Sequence, residues 1–206
     1  RSKALVKYAF VPLEQKIALS ESKVDQQKLA TAIKDLVEQA NVTTRNVAVG
    51  LPSQRVFTTV VDIDRLSADE IAKTIKYQAD SLIPTPLAES KIDWAVIGDS
   101  AKDKDKIEVL LTSVTNSFIE SRLDILESIG LNVIAFEPDH MALSRAVIPF
   151  ETTSPQMVID IGNQATDIVV CMAGAPRLAR SIPTGSEAII RAATQNLNID
   201  DKQAQQ

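Results

Sequence analysis

The residues best suited to chemistry cluster in one short stretch. Asp160, Ile161, Gly162, Asn163, Gln164, Ala165, Thr166 and Asp167 lie between two apolar runs, Met157 to Ile159 and Ile168 to Met172. A glycine has no side chain, so the backbone N–H groups after it can approach an anion, and a carboxylate at the turn's mouth can hold a hydrated cation alongside. The stretch therefore reads as a phosphate loop. An ordinary β-hairpin with a polar tip uses the same residue types, because short glycine-bearing motifs are not specific by themselves. On the motif alone both readings stand. A second turn, Pro183, Thr184, Gly185 and Ser186, follows the neighbouring run Arg177 to Ile182.

Other constellations carry little. His140 is the only histidine, it follows Pro138, and no motif around it supplies a nucleophile, so a Ser, His and Asp triad is disfavoured. One cysteine and one histidine give no zinc spacing, and Asp103 with Asp105 sits in a charged loop unlike a calcium-binding one. Cys171 lies within an apolar run and reads as a buried, inert thiol. Trp94, Tyr77, Tyr8 and the phenylalanines fall on strand or helix faces, where core packing is the default. The corner Leu82, Ile83, Pro84, Thr85, Pro86, Leu87 is apolar yet too proline-rich for regular structure. It forms either one wall of a binding groove or a loop packed on its own domain.

The elements that must position these residues follow from patterning. The chain has 206 residues, 45% of them hydrophobic, which suffices for one large or two small domains with a real core. Its net charge of -5 argues against a nucleic-acid partner, which needs clustered Lys and Arg. No apolar run approaches the roughly 20 residues that span a bilayer, and a cytoplasmic protein is expected. Ala4 to Leu13 reads as a strand, Asp25 to Ala40 as an amphipathic helix, and Asn46 to Leu51 and Val56 to Ile63 as strands. Ser67 with Glu70, and Leu66 before Ile71, start a helix that Pro84 ends. Lys91 to Ile97 and Lys106 to Val114 form a hairpin. Ser117 with Glu120 caps the next helix, which ends at Gly130, and Thr184 with Glu187 repeats the capping spacing. Asn132 to Phe136 is a strand, Asp139 to Val147 a helix, and Pro149 to Pro155 a linker, which sets a boundary near residue 150. Asp167 is expected to run along its strand. The order is α/β throughout.

Taken together, these residues resemble the type IV pilus assembly PilM proteins, relatives of the cell-division protein FtsA within the actin-like ATPase fold. The resemblance rests on Tyr8, Ala9, Pro12 and Leu13; on the helix after Ser67 with Ile83, Pro84, Thr85, Pro86 and Leu87; on Asp93 and Trp94; and on Val109 to Val114. Gly130 and Leu131, Glu137 to Leu143, Asp160 to Gly162 and Arg180 to Gly185 complete it. It spans nearly the whole chain. It implies an α/β, actin-like (ribonuclease H-like) core with an inserted small αβ subdomain. Residues 1–63 would begin the core, 64–134 form the insertion, 135–153 return to the core and link onward, and 154–206 start the second subdomain.

The resemblance also implies ATP and magnesium as ligands. Asp160, Gly162, Asn163, Gln164, Thr166 and Gly185 would bind nucleotide, with Asp160 holding magnesium through water. Here Ala165 precedes Thr166 where PilM-like chains usually carry paired threonines, which removes one hydroxyl contact to phosphate. The family's first phosphate loop falls before residue 1 and its adenosine-binding segment after residue 206, so both termini are expected to be truncated and nucleotide binding by these residues alone to be weak. By the same resemblance the partner is the N-terminal tail of a PilN-type membrane protein, held in a groove with Leu82, Ile83, Pro84, Pro86 and Leu87 on one wall. Other pilus assembly proteins and further copies of the chain are additional expected partners, and the location is cytoplasmic, peripheral to the inner membrane. A scaffold with at most weak ATPase activity is favoured, since no general base stands beside the loop. An FtsA-like filament protein and an actin-fold ATPase or kinase are the alternatives.

Overall fold

The computed structural model describes residues 4–149 and 151–204. In chain order the elements are α1 (Gln15–Leu19), α2 (Lys23–Gln39), β1 (Asn46–Leu51), β2 (Phe57–Asp64), α3 (Ala68–Leu82), β3 (Ser90–Asp99), β4 (Lys106–Thr115) and α4 (Asn116–Ser128). There follow β5 (Asn132–Pro138), α5 (Asp139–Val147), β6 (Gln156–Ile161), β7 (Thr166–Met172), β8 (Ala175–Ile182), α6 (Ser186–Leu197) and α7 (Asp201–Ala204). Single 3-10 turns occupy Ser53–Arg55 and Leu87–Glu89. The chain divides into two compact units: residues up to Gly50 with Thr115–Glu137, and Leu51–Val114 with residues from Pro138 onward. This grouping differs from the four-part division above, because 64–114 and 115–134 fall in different units.

In the first unit α2 begins at Ser22, whose hydroxyl accepts from the Asp25 N–H at 3.3 Å. Its apolar positions Leu29, Ala30 and Ile33 meet Ile17 of α1 and Ile125 of α4 in a small core. Polar groups tie the same helices. Gln26 Nε2 donates to Ser121 Oγ at 2.7 Å, and the buried Arg122 donates to the Ala18 carbonyl at 2.6 Å with its guanidinium 4.5 Å from the Phe118 ring centre. Gly130 ends α4 as expected. At φ +78 it lets its own N–H donate to Glu127 and the Leu131 N–H donate to Leu126, the paired bonds of a Schellman cap. β1 and β5 pair as a two-stranded sheet.

The second unit is built on two three-stranded sheets, ordered β2-β4-β3 and β6-β7-β8. α3 lays Ile71, Ile75 and Ala79 on the face of the first sheet that carries Ile63, Ile107, Val109 and Leu111, with Trp94 packed at the margin. The start of this helix is the one its spacing predicts: the Glu70 carboxylate accepts both the Ser67 N–H at 3.0 Å and the Ser67 hydroxyl at 2.6 Å. On the second sheet Met141 of α5 and Ile148, just after it, pack against Val169, Cys171 and Ala179. Cys171 is buried as expected, and burial pushes its thiol pKa up.

Four expectations are corrected. Residues 4–13 form no strand, and Leu5, Val6, Tyr8 and Phe10 are 80–86% exposed. Alternation supplies a strand's side-chain pattern, but a ladder also needs another strand's N–H and C=O groups, and none pairs here among the described residues. Ser117 does not cap α4, because β4 runs directly to Thr115, which becomes the N-cap and leaves Ser117 inside the helix. Thr184 does not cap α6 either. Gly185 holds that position, and Glu187 turns to Arg191 at 3.1 Å. Tyr77, assigned to the core by default, is 85% exposed on α3.

Candidate functional site

β6 and β7 run antiparallel with Asp160 opposite Asp167 and Ile161 opposite Thr166, which leaves Gly162, Asn163, Gln164 and Ala165 as the turn. The Gly162 N–H donates to the Ala165 carbonyl at 2.9 Å and closes it. β8 lies on the other side of β7, with Thr166 opposite Ile182 and Asp167 opposite Ser181. From the end of β8 the chain swings through Thr184 and Gly185 so that α6 begins against the turn. The Ser186 N–H donates to the Gly162 carbonyl at 2.9 Å and the Glu187 N–H to the Asn163 carbonyl at 3.0 Å. Gly185 makes this approach possible: a β-carbon there would lie 2.4 Å from the Gly162 carbonyl oxygen and 2.6 Å from Asn163 backbone atoms.

The structure thus brings together Asp160, Gly162, Asn163, Gln164, Thr166 and Gly185, all expected from the sequence. It also shows what holds several of them. Two of the N–H groups at the start of α6, which a helix end offers to anions, are taken by the turn's carbonyls. The Thr166 hydroxyl donates to the Thr184 carbonyl at 2.8 Å, and Ser186 Oγ to Asn163 Oδ1 at 3.3 Å. Asp160 is exposed on β6.

Asp167 is the residue that sequence reasoning undervalued. Rather than merely lying along its strand, its side chain is only 8% exposed. Its Oδ2 accepts from Ser53 Oγ at 2.7 Å, and Ser53 Oγ stands 3.1 Å from Ser181 Oγ. Its Oδ1 has no hydrogen-bond partner among the described residues. A signal was present in the strand's own pattern. Asp167 is in phase with Val169 and Cys171, the inward positions of β7, so an acid there had to be buried.

Hard oxygen donors of this kind suit a hydrated magnesium ion, which binds through one or two carboxylates and keeps several waters. Asp160 and Asp167, directly opposite in an antiparallel pair, project from the same sheet face with Cβ atoms about 5 Å apart. The donor set fits the group. Among the described residues no cluster of three or more His, Cys, Asp or Glu side chains forms a closed metal site. His140 is buried, its Nδ1 is 3.4 Å from Asp139 Oδ1, and neither ring nitrogen makes a hydrogen bond among the described residues.

The corner after α3 divides in two. Ile83 is buried in the α3 core and Leu87 packs against it, while Leu82, Pro84 and Pro86 are exposed. The 3-10 turn beginning at Leu87 leads directly into β3, an edge strand of its sheet. Among the described residues no helix is long and apolar enough to cross a membrane.

A family model described as "Type IV pilus assembly protein PilM" matches residues 3–206. Among solved structures, a chain of the "PilM-PilN type IV pilus biogenesis complex" superposes with a TM-score of 0.80 at 20% identity, covering 94% of this chain and 59% of that one. The cytoplasmic domain of EpsL, an inner-membrane component of the type II secretion system of Vibrio cholerae, superposes with a TM-score of 0.53 at 14% identity, covering 83% of this chain and 63% of that one. At such identities the likeness shows the fold alone, and that fold is of the α/β class that the sequence led us to expect. The chain spans less than two thirds of the length of either relative.

Proposed function

The chain belongs to the type IV pilus assembly protein PilM family, and on that premise we propose that it serves as a cytoplasmic, nucleotide-responsive adaptor that binds the N-terminal tail of a PilN-type inner-membrane protein. The observation that carries this reading is the superposition, at a TM-score of 0.80 over 94% of the chain, on a chain from a PilM–PilN complex. The chain is peripheral to the inner membrane through that tail and contacts other pilus assembly proteins and further copies of itself.

The exposed side chains of the corner, Leu82, Pro84 and Pro86, provide one wall for the tail, and Ile83 and Leu87 hold that wall in place from below. An extended peptide beside the corner can also add to the free edge of β3, where backbone hydrogen bonds supply affinity and side-chain pockets supply specificity. ATP with magnesium binds at the β6–β7 turn, with Asp160 on the ion through water and Gly162, Asn163, Gln164, Thr166 and Gly185 shaping the phosphate side. Polyphosphate binding there draws on the turn's dipoles, and the ion neutralises charge.

A synthetic peptide copying the tail of the PilN-type protein from the same pilus system, titrated into the protein by calorimetry, tests the adaptor role. Saturable binding weakened about tenfold by Leu82→Asp is expected, the cost of a charge in an apolar contact. No binding at any accessible concentration overturns it. One observation favours an ATPase as a second reading: Asp167 supplies a second acid beside Asp160. Phosphate release above buffer background that disappears in Asp160→Ala would support that reading.

A further inference from the structure

Asp167 is the only acidic side chain among the described residues that is buried, and the way it is held has a consequence for the turn. A buried carboxylate forfeits its hydration and must be compensated by hydrogen bonds. The compensation comes from far away in sequence: Ser53, 114 residues earlier, donates to Asp167 Oδ2 at 2.7 Å from the 3-10 turn that follows β1. A serine hydroxyl has one proton. With that proton on Asp167, the 3.1 Å contact between Ser53 and Ser181 must have Ser181 as donor and Ser53 as acceptor. The hydroxyls therefore form a directed chain, Ser181 to Ser53 to Asp167, that ends on the carboxylate.

This chain grips the turn at its root. Asp167 is one residue from Thr166, which ties to the Thr184 carbonyl, and the next groups outward are Gly162 and Asn163, whose carbonyls receive the start of α6. Asp160, Asp167 and Ser181 lie in one row across the three strands. Facing carboxylates in such a row repel each other. Ser53 offsets part of that repulsion by drawing charge onto Oδ2, while Oδ1 has no hydrogen-bond partner among the described residues.

We propose that Ser53 is a positioning residue: through its hydrogen bond to Asp167 it fixes the β6–β7 turn and the start of α6 in the geometry that receives a divalent cation with a nucleoside polyphosphate. The ligand part of this proposal rests on the reading of the turn as a phosphate loop. The positioning part does not.

The test uses the full-length gene product with Ser53→Ala and Ser53→Thr, read first by hydrogen exchange without ligand. The Gly162, Ser186 and Glu187 amides report the turn and its junction with α6. In Ser53→Ala they are expected to exchange about tenfold faster, the size of one lost hydrogen bond to a charged group, while amides of Ile75 and Val109 in the other sheet's core stay unchanged. Ser53→Thr, which keeps the hydroxyl, restores protection. A general loss of stability would speed both sets of amides alike. Equal exchange at the turn in wild type and Ser53→Ala overturns the positioning role. Calorimetry with ATP and magnesium chloride then reads the ligand part, where Ser53→Ala is expected to bind about tenfold more weakly than wild type and Ser53→Thr within about twofold of it. If wild type binds and Ser53→Ala binds equally, the inference fails and the phosphate-loop reading survives. If wild type binds no nucleotide, the phosphate-loop reading fails and the exchange result alone decides the role of Ser53.

Discussion

At Gly185 the space for a β-carbon is already occupied by backbone, and backbone cannot step aside as a flexible side chain can. Its own conformation, φ -131 and ψ -164, is extended and open to any residue, so the demand for glycine comes entirely from the close approach of Gly162 and Asn163. Gly185→Ala is therefore expected to cost about 2–3 kcal/mol, in the manner of an overpacked core, and to part α6 from the turn. Gly162 makes an instructive contrast, since a β-carbon there meets only the Ala165 carbonyl, at 3.1 Å. A shift of a few tenths of an ångström accommodates it, and Gly162→Ala is expected within about 1 kcal/mol of wild type because the unfolded chain also loses freedom. Denaturant midpoints of the two variants check the pair. The glycine that looks essential in the motif is the more replaceable of the two, and equal costs would refute that ordering.

Among the elements, α3 shows what a local pattern can specify. Ser67 and Glu70 stand three residues apart, and the contact they make lies within the reach of that spacing. The Ser67 hydroxyl, and after it the Ser67 N–H, hold the Glu70 carboxyl below its ordinary pKa. A depressed folded pKa means that the contribution is present above the unfolded value and is lost as pH falls through the folded one. The stability gap between wild type and Glu70→Gln is accordingly expected at neutral pH and to shrink below the usual glutamate range, where both side chains are uncharged. A gap that does not change with pH would remove the charged cap as its cause. Ser117 and Thr184 carry the same spacing, yet neither becomes a cap, because β4 reaches Thr115 without a break and the chain at Gly185 is pulled onto the turn. Local signals decide helix starts only where no longer-range contact has a stronger claim. The Ser53 to Asp167 bond, across 114 residues, and the pairing of Arg177 with Glu108, across 69, leave no local trace. The inward phase of Asp167 on β7 is as much of the candidate site's polar core as the sequence displays.

In the whole molecule, a partly buried ion pair ties the two sheets of the second unit. Arg177 of β8 bonds the Glu108 carboxylate of β4 and donates to the Ile97 carbonyl at 3.0 Å, with Gly98 giving it room. Glu108 faces Asp62 across the β2–β4 ladder, so Arg177 also counters two like charges held side by side. The two sheets carry natural reporters. Trp94, the only tryptophan, packs on the core of the first sheet, and Cys171, the only cysteine, is buried in the second. In wild type the ion pair should keep the sheets in one cooperative transition, so that Trp94 fluorescence and Cys171 reactivity toward a thiol reagent change at the same denaturant concentration. Arg177→Met leaves the partly buried Glu108 without its cation, at a cost of about 2–3 kcal/mol after allowance for its exposure. Because Met has no donor for Ile97 either, the second sheet loses both ties that Arg177 makes to the first, and Cys171 should become reactive at lower denaturant than the one at which Trp94 responds. Coincident transitions in Arg177→Met, at an unshifted midpoint, would show that the sheets are united without the Arg177–Glu108 pair and that it contributes nothing to their coupling.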